Sequence, residues 1–309
     1  MAITAQMVKE LRESTGAGMM DCKKALSETG GDLKKAVDVL REKGLSSAAK
    51  KAGRIAAEGV VSSYVSNDFS KGTLVELNCE TDFVAINPLF VGLSKEICEI
   101  ASENSCDNVS DIENLNYKFS DEFPTVKDAI VGLVAKLGEN ISLRRVVNYY
   151  SNDGVINTYI HGDGKIGVVI ELKSDLKNEE VVKVAKDLCM QVAATNPMFL
   201  DINSVDQSVV EKERQILKTQ ALNEGKPEQV VEKMVEGRIK KYFQEICLVE
   251  QGFVKDPDLT VKKFIENKSK ELGSKIEIVR FSRFEKGEGI EKNEENFAEE
   301  VQKQMNKGK

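Results

Sequence analysis

Apolar residues in the first part of the chain recur at helical spacing, with capping residues and glycines between the repeats. The pattern predicts three short helices between Thr4 and Gly44. Thr4 is placed to cap the first helix, Asp32 is placed to cap the third, and Gly44 is expected to end the third. A module of about 45 residues has a small core, and we expect it to bind another protein. An Ala- and Lys-rich stretch, 46–58, predicts a helical connector to the next part of the chain.

The middle of the chain contains an internal repeat. In each copy, two β-branched runs predict a hairpin closed by a Gly-containing turn, and an amphipathic helix follows. The paired runs are 59–65 with 73–78 in the first copy, and 154–160 with 168–173 in the second. A helix near 130–137 and a strand near 141–149 lie between the copies. We therefore expect an α+β core of two related subdomains with antiparallel sheets.

An insertion interrupts the second copy. Its two arms, 204–223 and 228–246, flank a turn that contains Gly225 and Pro227, and the second arm has apolar residues at alternating spacings of four and three. This spacing is typical of a coiled-coil seam, so the segment predicts an antiparallel helical hairpin. A helix near 261–272 and a strand near 276–284 follow.

The pattern therefore divides the chain into four parts. We expect an N-terminal three-helix module with its connector, two core subdomains and a charged C-terminal module. The boundaries are 1–54 for the first module, 55–150 for core subdomain N, 151–284 for core subdomain C with the insertion 204–246, and 285–309 for the C-terminal module.

Composition excludes several classes of function. The net charge of −7 has the wrong sign for a protein that binds the phosphate backbone, so we expect no direct nucleic-acid partner. No apolar run approaches the roughly 20 residues of a membrane span, and the start of the chain lacks a signal core, which together predict a cytoplasmic protein without a membrane partner. Six scattered cysteines without a C-x-x-C pair, and a single histidine, argue against disulfides, a metal site or a cofactor.

A glycine pattern at 162–167 has the spelling of a dinucleotide-binding loop. That loop requires a strand before it and a helix after it, whereas β-branched runs lie on both sides here. The glycines therefore predict a hairpin turn. His161, next to this turn, is either a polar side chain at a strand end or a hydrogen-bonding contact to a partner, and the sequence leaves both readings open.

The segment 76–85 carries the most specific candidate for function. A strand is expected to end near Cys79, and Thr81 or Asp82 can cap the next helix. Phe83 then stands beside a carboxylate at a strand-to-helix turn, a position that suits insertion into a crevice of another protein.

Several long segments resemble the translation elongation factor Ts family of bacterial type. Residues 8–26 and 80–85 resemble its two signature segments, and 138–145, 233–238 and 283–291 resemble further family segments in the same order. The resemblance covers essentially the whole chain. It implies an N-terminal UBA-like module, a core of two related halves, a coiled-coil hairpin and a C-terminal helical docking module. It also implies a guanine nucleotide exchange factor that is not an enzyme and that promotes replacement of GDP by GTP on elongation factor Tu.

The resemblance further implies which residues act. A wedge that disturbs the partner's magnesium site would comprise Thr81, Asp82, Phe83 and Val84, and further contacts to the partner would come from Arg12, Met19, Met20, Lys23, Leu137, Gly138 and His161. For the assembly of this chain, a homodimer or a two-to-two complex with the partner is also an expectation. This chain departs from the family just after the wedge, where 86–88 reads Ile-Asn-Pro in place of a lysine-containing continuation.

Two alternatives come from other classes of protein. One is a scaffold whose three-helix module binds a ubiquitin-like or chaperone partner while the core dimerises. The other is a nucleotide-using enzyme built on the glycine turn. Capture of elongation factor Tu from a lysate argues against the first, and measurable binding of GTP or NAD by the isolated chain supports the second.

Overall fold

The structure, a computed structural model, describes residues 3–15, 17–225 and 227–291. The predicted C-terminal module therefore lies mostly outside the described residues. The helices are α1 Ala5–Thr15, α2 Met19–Glu28, α3 Leu33–Lys51, α4 Asp82–Ala85, α5 Pro88–Asn104, α6 Val109–Glu113, α7 Val126–Leu137, α8 Glu179–Thr195, α9 Gln207–Asn223, α10 Glu228–Ile246 and α11 Val261–Leu272. The strands are β1 Glu58–Val65, β2 Lys71–Cys79, β3 Ser142–Tyr150, β4 Gly154–His161, β5 Ile166–Lys173, β6 Gly252–Phe253, β7 Asp256–Thr260 and β8 Glu277–Glu285.

The three N-terminal helices form where the sequence predicts them, with one difference. The expected caps are present, since the Thr4 hydroxyl accepts from the Met7 N–H and the Asp32 carboxylate accepts from the Lys35 N–H. Gly44, however, does not end α3, which continues to Lys51. The prediction was wrong because tertiary packing overrides the weak helix propensity of glycine.

Gly44 lies where α3 crosses α7. A β-carbon built on Gly44 would meet the Ala135 side chain at 3.5 Å, so the small residue permits a close approach of the two helices. Arg41 Nη2 and Asp128 Oδ1, 2.8 Å apart, join the same pair of helices. The N-terminal module is therefore attached to the core by packing and by an ion pair.

The core consists of two three-stranded antiparallel sheets, each covered by a helix. One sheet has the order β1-β2-β3 and packs against α5, and the other has the order β4-β5-β8 and packs against α8. The pairing register of the central strand shifts at the same place in each sheet, after Glu76 in β2 and after Glu171 in β5, because the partner strands β3 and β8 each have one extra residue there, Arg144 and Val279. The two halves therefore share the strand arrangement, the covering helix and the position of the register shift, in agreement with the predicted repeat.

The two sheets face each other across a shared apolar layer in which equivalent residues meet. The layer consists of the equivalent pairs Val61 with Ile156, Leu74 with Val169, and Tyr149 with Phe284. A β-carbon on Gly72 would lie 2.4 Å from Ile156 Cγ2, and one on Gly167 would lie 2.4 Å from Val61 Cγ1. The two glycines are therefore required by close packing between the halves, and the halves are related by an approximate twofold rotation.

Ion pairs repeat this symmetry. Arg145 Nε lies 2.5 Å from the Glu76 carboxylate, and Arg280 Nε lies 2.7 Å from the Glu171 carboxylate. Each arginine also stacks on an aromatic ring of the opposite half, with Arg145 over Phe284 at 4.2 Å and Arg280 over Tyr149 at 4.1 Å. Crossed cation–π contacts therefore hold the two sheets together in addition to the apolar layer.

The turns of the two hairpins differ from each other. The second hairpin turns through Gly162, Asp163 and Gly164, all with positive φ, as the sequence predicts. The first hairpin was expected to have a Gly-containing turn, but its turn at 66–70 contains no glycine, and Phe69 adopts the positive φ of 57° instead. Hydrogen bonds from Ser66 and Ser70 to the Asp68 carboxylate stabilise this turn.

The helical insertion forms as an antiparallel pair, α9 and α10. Val231, Val235 and Ile239 of α10 are buried against Ala221 of α9, in agreement with the spacing along the second arm. The short hairpin β6–β7 after the insertion was not predicted, because its strands are too short to show a pattern.

Candidate functional site

The four-residue helix α4 follows directly after the central strand of the first sheet. Thr81 caps it, since its hydroxyl accepts from the Val84 N–H at 3.4 Å. Val84 and Ala85 are buried in the core below, whereas Asp82 is exposed and Phe83 has 79% of its surface exposed. The turn therefore has an apolar anchor on one side and an exposed aromatic ring beside a carboxylate on the other.

Comparison of the two halves shows that α4 is an addition to the repeat. Helices α5 and α8 have the same length of 17 residues and bury the same pattern of positions. Eight residues separate Cys79 from Pro88 in the first half, whereas four separate the corresponding Ser174 from Glu179 in the second. The four extra residues equal the length of α4, so the exposed phenylalanine belongs to a segment that has no counterpart in the second half.

The segment is held by a reciprocal hydrogen-bonded clasp with the loop after α7. The carboxylate of Glu139 accepts from the backbone N–H groups of Glu80 and Thr81, at 3.1 and 2.9 Å, and from the Thr81 hydroxyl at 2.5 Å. In return the Glu80 carboxylate accepts from the Asn140 N–H at 2.6 Å, and Arg54 Nη1 lies 3.5 Å from it. Two loops about sixty residues apart in sequence are thereby fixed to each other.

Leu137 and Gly138 lie at the end of α7, directly before the clasp. Leu137 is half-buried against the first core, and Gly138 is the exposed C-cap with φ of 82°, a conformation that favours glycine. The clasp therefore brings the predicted contact residues at 137–138 next to the predicted wedge at 81–84.

His161 occupies the exposed end of β4. Its Nδ1 lies 3.1 Å from the Tyr159 hydroxyl, and its ring is 6.0 Å from the tyrosine ring. The adjacent Gly164 carbonyl accepts from the Val61 N–H at 2.8 Å, so the glycine turn packs onto the first sheet and opens no helix. The pattern at 162–167 is thus a hairpin turn, and the interpretation as a nucleotide-binding loop is excluded.

The predicted N-terminal contact residues lie on the solvent-facing side of α1 and α2. Met19 and Met20 have 60% and 62% of their surfaces exposed, although both are large apolar side chains. Arg12 and Lys23 are exposed beside them in sequence, and Cys22 points into the module core. Exposed methionines are typical of surfaces that adapt to a binding partner.

A second exposed apolar position follows the wedge, at the point where the chain departs from the family pattern. Ile86 has 75% of its surface exposed. Asn87 then caps α5 through the Leu89 N–H at 2.9 Å, and Pro88 is the first residue of that helix. A groove of about 630 Å³ lies between Ile86, Lys95 and the turn at 163–164. The sequence did not identify Ile86 as an exposed contact residue, because one sequence does not show which side chains are exposed.

The described residues offer little for covalent or metal chemistry. Within them, no cluster of three or more His, Cys, Asp or Glu side chains is placed to hold a metal ion. The thiol nearest the wedge, Cys79, is buried, and burial raises its pKa to about 12. No helix in the described ranges is both long enough and apolar enough to cross a bilayer.

The fold and the site define an α+β protein with exposed apolar side chains on a rigidly held turn, a surface suited to docking on another protein. A family model described as Elongation factor TS matches residues 80–288. Elongation factor Ts of Clostridium botulinum (strain Eklund 17B / Type B) is 57% identical over 305 residues, which cover 99% of this chain and 100% of the relative. That of Clostridium acetobutylicum is 57% identical over 307 residues, with the same coverage, and that of Clostridium novyi (strain NT) is 56% identical over 306 residues, which cover 98% and 99%.

The chain therefore belongs to the elongation factor Ts family. Membership implies a nucleotide exchange factor of translation elongation, with elongation factor Tu as its partner. The resemblance noted in the sequence is confirmed.

Proposed function

We propose that this protein is a guanine nucleotide exchange factor that binds the GDP complex of elongation factor Tu, disturbs its magnesium and phosphate site, and promotes replacement of GDP by GTP. The observation that carries the proposal is the exposed Phe83 on a turn that is clasped to the core. A large aromatic side chain that is held exposed on a hydrogen-bonded turn suits burial in a pocket of a partner protein. The activity requires no covalent chemistry by the factor itself.

Thermodynamic linkage fixes how much free energy the docking contacts must supply to weaken GDP binding. If the factor weakens GDP binding, GDP weakens binding of the factor by the same free energy. A change of four orders of magnitude corresponds to about 5.5 kcal/mol. Burial of one phenylalanine supplies roughly 1.5 to 3 kcal/mol. Phe83 therefore needs the other contact surfaces to hold it in place.

The four wedge residues have different roles in this proposal. Phe83 enters a crevice of the partner, and Asp82 beside it displaces groups that order the magnesium ion and the phosphates. Loss of the metal removes the main counter-charge of the diphosphate. Thr81 and Val84 support the turn from within, since Thr81 caps α4 and Val84 is buried in the core.

The remaining parts of the chain complete the proposed docking. The UBA-like module 1–54 contacts the partner through Arg12, Met19, Met20 and Lys23, and the core contacts it through Leu137, Gly138 and His161. The C-terminal module 285–309 extends the contact in a cytoplasmic complex, either one-to-one or two-to-two. Attachment of the N-terminal module to α7 by the Arg41–Asp128 pair supports the joint use of these surfaces.

The test is release of fluorescently labelled GDP from elongation factor Tu, followed by stopped flow with unlabelled GDP in excess. The protein is expected to raise the release rate by orders of magnitude, with saturation as its concentration increases. Phe83→Ala is expected to lower the maximal rate at least tenfold. Phe119→Ala, which truncates another exposed phenylalanine, is the matched control and is expected to leave the rate unchanged. A release rate that does not respond to the wild-type protein contradicts the proposal.

A further inference from the structure

We propose that Glu139 is a positioning residue that fixes the orientation of α4 and so directs Phe83 toward the partner. This inference rests on the proposed function and adds to it a residue that acts through Glu80 and Thr81. Glu139 lies within one of the segments that resemble the family, but neither its residue type nor its position in the sequence indicates this role.

The need for such a residue follows from the size of α4. A helix of four residues forms hardly any internal hydrogen bonds, and helices this short are unstable by themselves. The direction of the Phe83 ring must therefore be set by contacts from outside the helix. Burial of Val84 and Ala85 fixes one side of the turn, while the N-terminal side depends on the residues that hold Glu80 and Thr81.

Glu139 supplies that hold through both carboxylate oxygens. Its Oε2 accepts from the Glu80 and Thr81 N–H groups, and its Oε1 accepts from the Thr81 hydroxyl. Because the hydroxyl hydrogen is directed to Glu139, a lone pair of the same oxygen is free to accept from the Val84 N–H, which is the cap of α4. One carboxylate thus fixes the entry of the chain into α4 and the rotamer of the capping side chain.

The same contact joins the two predicted contact segments. Glu139 directly follows Gly138, and its partners directly precede Asp82 and Phe83. The reverse bond, from the Asn140 N–H to the Glu80 carboxylate, makes the arrangement reciprocal. Movement of one segment relative to the other therefore breaks hydrogen bonds at both ends of the clasp.

The experiment is a double-mutant cycle on the maximal rate of labelled GDP release from elongation factor Tu at saturating factor. Glu139→Ala is expected to lower that rate at least tenfold in the wild-type background and no more than about twofold in the Phe83→Ala background. Residues that act through each other show this non-additivity, whereas a general loss of structure lowers the rate equally in both backgrounds. Glu139→Gln keeps one carbonyl acceptor and is expected to restore an intermediate rate. As a control, Glu99→Ala removes a carboxylate of α5 that pairs with Lys118, and it is expected to leave the release rate unchanged.

Two results would overturn the positioning role: an unchanged maximal rate for Glu139→Ala, or an equal loss in both backgrounds. If Glu139→Ala does not fold, Thr81→Val replaces it in the cycle, since it removes the hydroxyl of the same contact and keeps the shape of the side chain. An inactive wild-type protein would instead refute the proposed function itself. An unaffected Phe83→Ala variant would refute the wedge, and the role of Glu139 with it.

Discussion

Glu76→Gln is the change that tests most sharply how the two halves are joined. Glu76 is completely buried in the central strand of the first sheet. Its carboxylate accepts hydrogen bonds from the side chains of Asn78, Arg144 and Arg145 and from the Gly287 N–H, at 3.1, 3.0, 2.5 and 2.8 Å. The carboxylate thus binds both the neighbouring strand and the turn that follows β8.

The expected loss of stability follows from these contacts. A hydrogen bond to a charged group contributes about 1.5 to 3 kcal/mol, and glutamine retains one acceptor but presents an amide group to donors. Arg145 keeps a second acceptor in the Glu285 carbonyl at 2.9 Å, so it is not left without a partner. We therefore expect Glu76→Gln to reduce the free energy of unfolding by about 2 to 4 kcal/mol.

The chain provides a matched control in Glu171→Gln. Glu171 occupies the equivalent position of the second sheet, but a single arginine, Arg280, pairs with it, and that arginine is about half exposed. We expect this variant to lose about 1 kcal/mol. Urea unfolding at pH 7, followed by circular dichroism, measures both values. A loss for Glu76→Gln no larger than that for Glu171→Gln would contradict the proposed role of Glu76 in joining the two halves.

The effect of Glu76→Gln should also depend on pH. Burial by itself would raise the pKa of Glu76, but hydrogen bonds from the Gly287 N–H, Arg144 and Arg145 outweigh burial and hold the pKa below its ordinary value. A lowered pKa stabilises the fold above the unfolded value of about 4.3, and this contribution is lost as the pH falls through the folded value. The difference between wild type and variant is therefore expected to be constant near pH 7 and to shrink below about pH 4.

Two further predictions concern packing and thiol reactivity. Gly167→Ala places a β-carbon 2.4 Å from Val61 Cγ1 and is expected to lower the free energy of unfolding in urea by about 1 to 3 kcal/mol. Gly237→Ala, in a helix with open space around it, is expected to raise that free energy by about 0.5 to 1 kcal/mol. Equal effects would contradict the close contact of the halves. Cys106 is partly exposed, so in the native protein it is expected to react first with a thiol reagent. Burial raises the pKa of Cys79 to about 12, and this thiol is expected to stay protected until the protein unfolds. Mass spectrometry of the labelled peptides measures the order of reaction.

Hydrophobic periodicity, together with the capping residues and glycines between the elements, was sufficient to predict much of the fold. The repeat of hairpin and helix, the helical insertion and α11 follow from residues whose burial has a regular period. The failures have physical causes. Gly44 lies in a helix because a neighbouring helix packs on it, and Phe69 adopts a positive φ because side-chain hydrogen bonds stabilise its turn. Both depend on contacts that a local pattern does not contain.

The candidate site was predictable only in part. A strand end followed by Thr81, Asp82 and Phe83 indicates a capped turn with an aromatic residue, and the structure shows that turn. Exposure of Phe83 and Ile86, and the reach of Glu139 across about sixty residues of sequence, arise from the tertiary fold. Only comparison of the two halves in three dimensions shows that α4 is an addition to the repeat.

The free energy of docking weakens the binding of GDP to elongation factor Tu in the proposed function, and a comparison of two affinities tests this exchange. Isothermal titration of this protein into nucleotide-free elongation factor Tu, and into the same GTPase saturated with GDP and magnesium, gives both dissociation constants. We expect the protein to bind the nucleotide-free form more tightly by orders of magnitude, and we expect GDP affinity to fall by the same factor when the protein is bound. Equal affinities for the two forms would contradict it.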